Sequence, residues 1–215
     1  MTPSPHVSPE PEAPRAVPMS GDLPLWVAPG TGSRVVVYLH GFCGEPSRAD
    51  EWARSVQPLA TVVGLTGNVP CVDRPGRFRY AADVKYLDYR IRKAIRSSSA
   101  ALERSLDAES IVLVGYSEGA LRAEQLAWLF PRRYSRTVLM SGPSAPAYEH
   151  LARTERVAIV RGQREYSKSY RNAAGHLTRA GLAAQYFELP GAAHGEFGPD
   201  AARVVADIFD FLLAD

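Results

Sequence analysis

Cysteine is scarce in this chain of 215 residues: Cys43 and Cys71 are the only two. Two thiols cannot build a disulfide scaffold, and neither stands in a metal-like spacing with another Cys or with His. No metal and no other cofactor is expected. Long apolar runs are also missing, and none approaches the roughly 18 to 20 residues that a membrane span requires. Neither sign of charge is in excess, since 25 Lys and Arg face 23 Asp and Glu without a dense basic block. That balance lacks the electrostatic footprint of a nucleic-acid binder. The start, Met1-Thr2-Pro3-Ser4-Pro5, shows neither a basic n-region nor an apolar h-region. A cytoplasmic protein is the default expectation, and a secreted or periplasmic one requires that a leader has been removed. No internal repeat is present.

Proline is concentrated at the beginning, at positions 3, 5, 9, 11, 14 and 18. With Ser, Glu and Ala between the prolines, too little apolar surface is available to offset ordering, so residues 1–21 read as a flexible tail. From residue 22 to 215 short apolar runs alternate with amphipathic stretches, which reads as one domain with material for a substantial core. Expected strands are Leu23 to Val27, Val35 to Leu39, Ala60 to Leu65, Ile111 to Tyr116, Thr137 to Met140, Val157 to Val160 and Ala184 to Leu189. Most are rich in Val, Ile and Leu, as strands buried on both faces should be. Helices are expected near 48–56, 82–106, 120–130, 167–179 and 201–213. In the longest, Val84, Leu87, Ile91, Ile95, Ser98, Leu102 and Leu106 make one face, and Arg90, Arg92, Lys93 and Arg96 read as a solvated face. Alternation of strand and helix implies an α/β fold, with a mostly parallel sheet covered on both sides.

The chemistry is concentrated at Gly115-Tyr116-Ser117-Glu118-Gly119, which follows the apolar run Ile111 to Val114 and precedes a helical stretch. Gly-x-Ser-x-Gly in that context is a nucleophile elbow, a tight turn that lifts the serine hydroxyl clear of the sheet edge. The plain alternative is a strand-to-helix turn with Ser117 as N-cap. A serine hydroxyl attacks only when a base removes its proton, and histidine suits that task near neutral pH. Of His6, His40, His150, His176 and His194, the first lies in the tail. His150 and His176 fall in amphipathic stretches. His40 reads as structural. His194 sits in the small-residue loop Pro190-Gly191-Ala192-Ala193-His194-Gly195, between the last strand and the last helix, and is the candidate base. A carboxylate should hold the other imidazole nitrogen. Glu165, on the loop Gly162-Gln163-Arg164-Glu165, is the candidate, ahead of Glu149 and Asp200. Backbone donors for an oxyanion are expected from Glu118 and from Phe42, with Cys43 as fallback, in the loop after Val35 to Leu39.

In the order of these features, His40-Gly41, the elbow, the acid loop and then His194, residues 22 to 215 resemble an α/β-hydrolase. The resemblance implies a sheet of about seven or eight strands with helices on both faces and the site at the strands' carboxyl ends. The short 141–156 stretch leaves no room for a large cap, and Glu stands where Asp is commoner. The compact layout is most similar to small carboxylesterases, thioesterases and dienelactone-hydrolase-like enzymes. It implies a serine hydrolase acting through an acyl-enzyme on a small-molecule ester or thioester. An acyltransferase on the same triad and a non-catalytic binding protein are the alternatives. Cys43, Tyr116, Phe78 and Tyr80 are candidate substrate-lining residues, and core packing explains each of the aromatics equally well. Arg74, Arg77 and Arg79 fall on a loop that should approach the rim, where a solvated loop is favoured over an acidic substrate group. In the resembled fold the loops carrying Cys43 and Cys71 emerge at the same sheet edge. A bridge that pins the oxyanion loop and two reduced thiols both stand, with the thiols favoured because no signal is visible.

Overall fold

The computed structural model describes residues 12–214. Residues 1–11, most of the expected Pro-rich tail, lie outside the described residues. The rest of that expected tail is not a tail. Arg15–Val17 form an edge strand (β1), with Val17 and Met19 buried at 2% and 3% exposure. Each is a single apolar residue among prolines, too sparse a signal to read as a strand from periodicity.

The remaining strands are β2 (Leu25–Ala28), β3 (Val35–Leu39), β4 (Thr61–Leu65), β5 (Val69–Pro70), β6 (Phe78–Arg79), β7 (Ile111–Tyr116), β8 (Arg136–Met140), β9 (Arg156–Gly162) and β10 (Ala183–Leu189). The helices are α1 (Asp50–Val56), α2 (Val84–Ala101), α3 (Glu118–Leu129), α4 (Tyr148–Leu151), α5 (Lys168–Arg179) and α6 (Ala201–Leu213). Eight strands form one sheet in the order β1-β2-β4-β3-β7-β8-β9-β10, and β5 and β6 make a separate hairpin. From β4 through β10 every pairing is parallel, while β2 runs antiparallel to both its neighbours.

The two-residue period of a strand sorts the core into two layers. In β7, Ile111 and Leu113 face a layer completed by Leu87 and Ile91 of α2, Ala123 and Leu126 of α3, and Tyr170 and Leu177 of α5. Val112, Val114 and Tyr116 face the other, completed by Trp52 and Val56 of α1 and by Val205, Ile208 and Phe209 of α6. Helix α2 stops short of the expected residue 106. Glu103 takes a left-handed φ of 51°, and Arg104 N–H turns back to the Ser99 carbonyl at 3.1 Å. Arg90 is not solvated as expected. It is fully buried, with two bonds of 2.8 Å to the Asp22 carboxylate and another of 2.8 Å to the Thr66 carbonyl. A buried guanidinium survives only when paired in this way, and the partner lies 68 residues away. Among the described residues no helix is long and apolar enough to cross a membrane.

Register places the site. Leu39 lies opposite Gly115, Gly115 opposite Leu139, Met140 opposite Val160 and Gly162 opposite Leu189. The carboxyl ends of β3, β7, β8, β9 and β10 therefore bring His40, Ser117, Ser141, Glu165 and His194 to one edge.

Candidate active site

The turn between β7 and α3 is possible only because its flanks lack side chains. A Cβ on Gly115 would lie 2.2 Å from the Gly119 carbonyl oxygen, and one on Gly119 would lie 2.0 Å from that of Leu39. Ser117 between them is held at φ 53°, ψ −115°, a strained backbone that a non-glycine residue keeps only when its surroundings enforce it. Its N–H donates to the Met140 carbonyl at 2.8 Å, which fastens the turn to β8.

Ser117 Oγ lies 3.1 Å from His194 Nε2, and His194 Nδ1 lies 2.8 Å from Glu165 Oε1. The imidazole is half exposed, at 55%, whereas the Glu165 side chain is buried at 5%. The second carboxylate oxygen accepts from Ser141 Oγ at 2.5 Å and from Gly162 N–H at 2.8 Å. Arg161 Nη2 stands 3.4 Å from Oε1. Its guanidinium lies 4.0 Å over the Tyr170 ring and donates to the carbonyls of Gly142 and Tyr166. Burial alone would push the Glu165 carboxyl up. The donors from Ser141, Gly162 and His194 and the Arg161 charge outweigh it, and the carboxyl is held below the usual glutamate range.

Two ties hold the histidine loop over the sheet edge. Gly195 N–H donates to the Tyr116 hydroxyl at 2.6 Å, and Arg48 donates to the Gly195 carbonyl at 2.8 Å. The acid loop is laced to it through Arg164 N–H and the Ala192 carbonyl at 2.9 Å.

The sequence matches no protein-family model, and no curated protein matches it. Solved structures do match. The esterase PE8 superposes with a TM-score of 0.64 at 18% identity, over 87% of this chain and 97% of that one. The carboxylesterase of Bacillus cereus gives 0.60 at 18%, over 86% and 92%. The dienelactone hydrolase of Anabaena variabilis gives 0.62 at 18%, over 94% and 97%. The fold is that of the α/β-hydrolases. As in the capless layout expected, the segment between β8 and β9 holds only the single turn α4.

In this fold the loop after β3 is built on His40, which is buried at 1%. Its Nδ1 lies 2.7 Å from the Gly41 carbonyl, and Nε2 accepts the Gly67 N–H at 3.0 Å, which sets the proton on Nδ1. Burial depresses its pKa to about 4, so the ring is neutral. The Gly41 Cα faces the serine, and a Cβ there would lie 3.1 Å from Ser117 Cβ. Among the described residues, the backbone N–H groups of Phe42 and Glu118 are not engaged in hydrogen bonds.

A cleft of about 700 Å³ opens beside Ser117. Phe42, Cys43, Tyr116, Ser117, His194 and Phe197 contribute to its wall. Cys43 and Tyr116 thus line this cleft, and the other two candidates do not. Tyr80 is buried at 1%, its hydroxyl accepting from His40 N–H at 3.0 Å and donating to the Leu65 carbonyl at 2.8 Å. Phe78 pairs with Pro70 and with Gly44 through its backbone, outside the cleft. Cys43 and Cys71 form a disulfide, with Cα atoms 6.0 Å apart, against the reduced thiols that were favoured. The reason is the β5–β6 hairpin, which folds back onto the loop after β3.

Ser141 and Arg161, both supports of Glu165, escape a reading of the sequence. Ser141 directly follows β8, so its only signal is topological: the strand neighbours the one that leads to Ser117. Among the other histidines, His150 pairs with Glu124 at 2.8 Å and His176 stacks on Tyr148. Glu149 is on α4 and Asp200 is 3.7 Å from Arg203, so neither rival carboxylate contacts His194.

Proposed function

We propose that the chain is a serine hydrolase that cleaves an ester or thioester of a small acyl substrate through an acyl-enzyme. The observation that carries this reading is the unbroken relay from Ser117 to His194 to Glu165 beside an open cleft and two idle backbone amides. His194 Nε2 takes the Ser117 proton as Oγ bonds to the substrate carbonyl carbon. The carbonyl oxygen becomes an oxyanion, received by the Phe42 and Glu118 amides, each such donor being worth about 2.7–4 kcal/mol of activation free energy. Collapse breaks the bond to the alcohol or thiol, which leaves with the proton from His194. A water then follows the same course in reverse, giving the acid and free Ser117. Glu165 stays ionised, holding the Nδ1 proton and stabilising the imidazolium.

The half-exposed imidazole and the absence of a large cap let water reach the acyl-enzyme, which favours hydrolysis over transfer. The disulfide favours an oxidising compartment over the cytoplasm. Hydrolysis of 4-nitrophenyl acetate tests the reading. Ser117→Ala should lose on the order of 10⁶-fold in kcat, and adding His194→Ala should cost little more because the two act as a unit. Near wild-type turnover by Ser117→Ala would overturn it.

A further inference from the structure

The cleft beside Ser117 is charged in one sense. Three guanidinium groups, of Arg48, Arg74 and Arg77, line it with one carboxylate, that of Glu45. Two of the three are already committed. Arg77 binds Glu45 at 2.6 Å, and Arg48 binds Glu51 at 2.9 Å and the Gly195 carbonyl at 2.8 Å. Arg74 is exposed and, among the described residues, its side chain has neither an ion-pair nor a hydrogen-bond partner.

An arginine on a surface loop is ordinarily just solvated. Arg74 differs because its loop is fastened in place. It sits in the turn of the β5–β6 hairpin, closed by Arg77 N–H on its own carbonyl at 3.0 Å. The disulfide joins the hairpin to Cys43, a backbone bridge joins Phe78 to Gly44, and the Arg79 guanidinium lies 5.9 Å from the Phe42 ring centroid. All three ties end on the oxyanion loop, so the free cation and the amide of Phe42 are carried by one braced unit. The other ionisable groups of the wall do not cancel it. His40 is neutral, and Glu45 is taken by Arg77.

We propose that Arg74 is an anion subsite and that the substrate is an ester or thioester bearing a second, free carboxylate. The proposal rests on the serine-hydrolase reading and names its substrate class. A guanidinium fork matches a carboxylate with two parallel hydrogen bonds. A carboxylate fits better than a phosphate, because the one free guanidinium neutralises one charge. A basic cleft also draws an anionic substrate in from solution.

Two matched pairs of esters test this on the full, oxidised chain. 4-Nitrophenyl hemiglutarate against 4-nitrophenyl valerate places the charge on the acyl side. 3-Carboxyphenyl acetate against 3-carbamoylphenyl acetate places it on the leaving group. In one pair kcat/KM should favour the anionic member about tenfold, mainly through KM, as a charge-assisted hydrogen bond allows. Raising the salt to 0.5 M should narrow the preference. Arg74→Gln should erase it and Arg74→Glu reverse it, with unchanged thermal melting showing that both variants fold. Glutarate should also shift the NMR signals of Ser117→Ala at low salt and fail to do so in Ser117→Ala/Arg74→Gln, a readout that needs no turnover. Absence of any charge preference, or an Arg74→Gln effect equal on both members of a pair, overturns the subsite. Hydrolysis of the neutral esters would survive that result, whereas failure of the serine reading abolishes turnover of all four and leaves glutarate binding intact.

Discussion

Replacing Glu165 by Gln exchanges one carboxylate oxygen for an amide NH2 and should cost most of the activity. Every neighbour of the carboxylate is a donor: Ser141 Oγ and Gly162 N–H on Oε2, His194 Nδ1 and Arg161 on Oε1. A glutamine offers one acceptor and one donor, so one side must meet a donor with a donor. Gly162 N–H cannot become an acceptor, and the amide oxygen is therefore retained there. The amide nitrogen then faces His194 Nδ1, the one partner on that side able to change, by moving its proton to Nε2. That tautomer points an N–H at Ser117 Oγ, 3.1 Å away, and cannot accept the serine proton. The expected loss is about 10⁴-fold in kcat with KM little changed, or about 5 kcal/mol of activation free energy. Steady-state kinetics on 4-nitrophenyl acetate, beside Glu149→Gln as control, measure it. An activity within tenfold of wild type, or a crippled Glu149→Gln, would refute the assignment of the acid.

The disulfide closes a loop between residues 28 apart, so its loss should cost about 3.5 kcal/mol of stability in the chain-entropy picture. Urea unfolding with and without reductant checks this, and an unchanged midpoint contradicts it; alkylation in denaturant without reductant should add no mass. His40 should make stability fall in acid. Its pKa of about 4 in the folded chain lies below the ordinary 6.5, so the unfolded chain takes up the proton first. The contribution is complete above about pH 6.5 and is lost as pH falls through 4, about 3 kcal/mol in all. Urea unfolding of wild type and His40→Gln at pH 7 and pH 4.5 should diverge, and parallel pH dependence would refute the burial argument.

How much of this was legible in the sequence follows from the range of the forces involved. Ser117 lies on a turn whose glycines are forced by close backbone approach, and His194 on a loop whose Gly191 and Gly195 take positive φ, local requirements that show in the local sequence. The parallel strands were legible because burial on both faces demands unbroken apolar runs, as in Ile111 to Val114. The misses are long-range. The Arg90 pair with Asp22, the Tyr80 hydroxyl between His40 and Leu65, and the Ser141 bond to Glu165 depend on which strands are neighbours, and no periodicity encodes that. The edge strand Arg15–Val17 was hidden by prolines, which an edge tolerates because one side of it makes no ladder. The disulfide depended on a hairpin of only two paired positions.

Labelling with a fluorophosphonate probe bears most directly on the claim that Ser117 is an activated nucleophile, since it requires no knowledge of the substrate. Peptide mapping by mass spectrometry should place a single adduct on Ser117 in the wild-type chain, with labelling abolished in Ser117→Ala and severely slowed in His194→Ala. An unlabelled wild-type protein, or an adduct on any other residue, would contradict it.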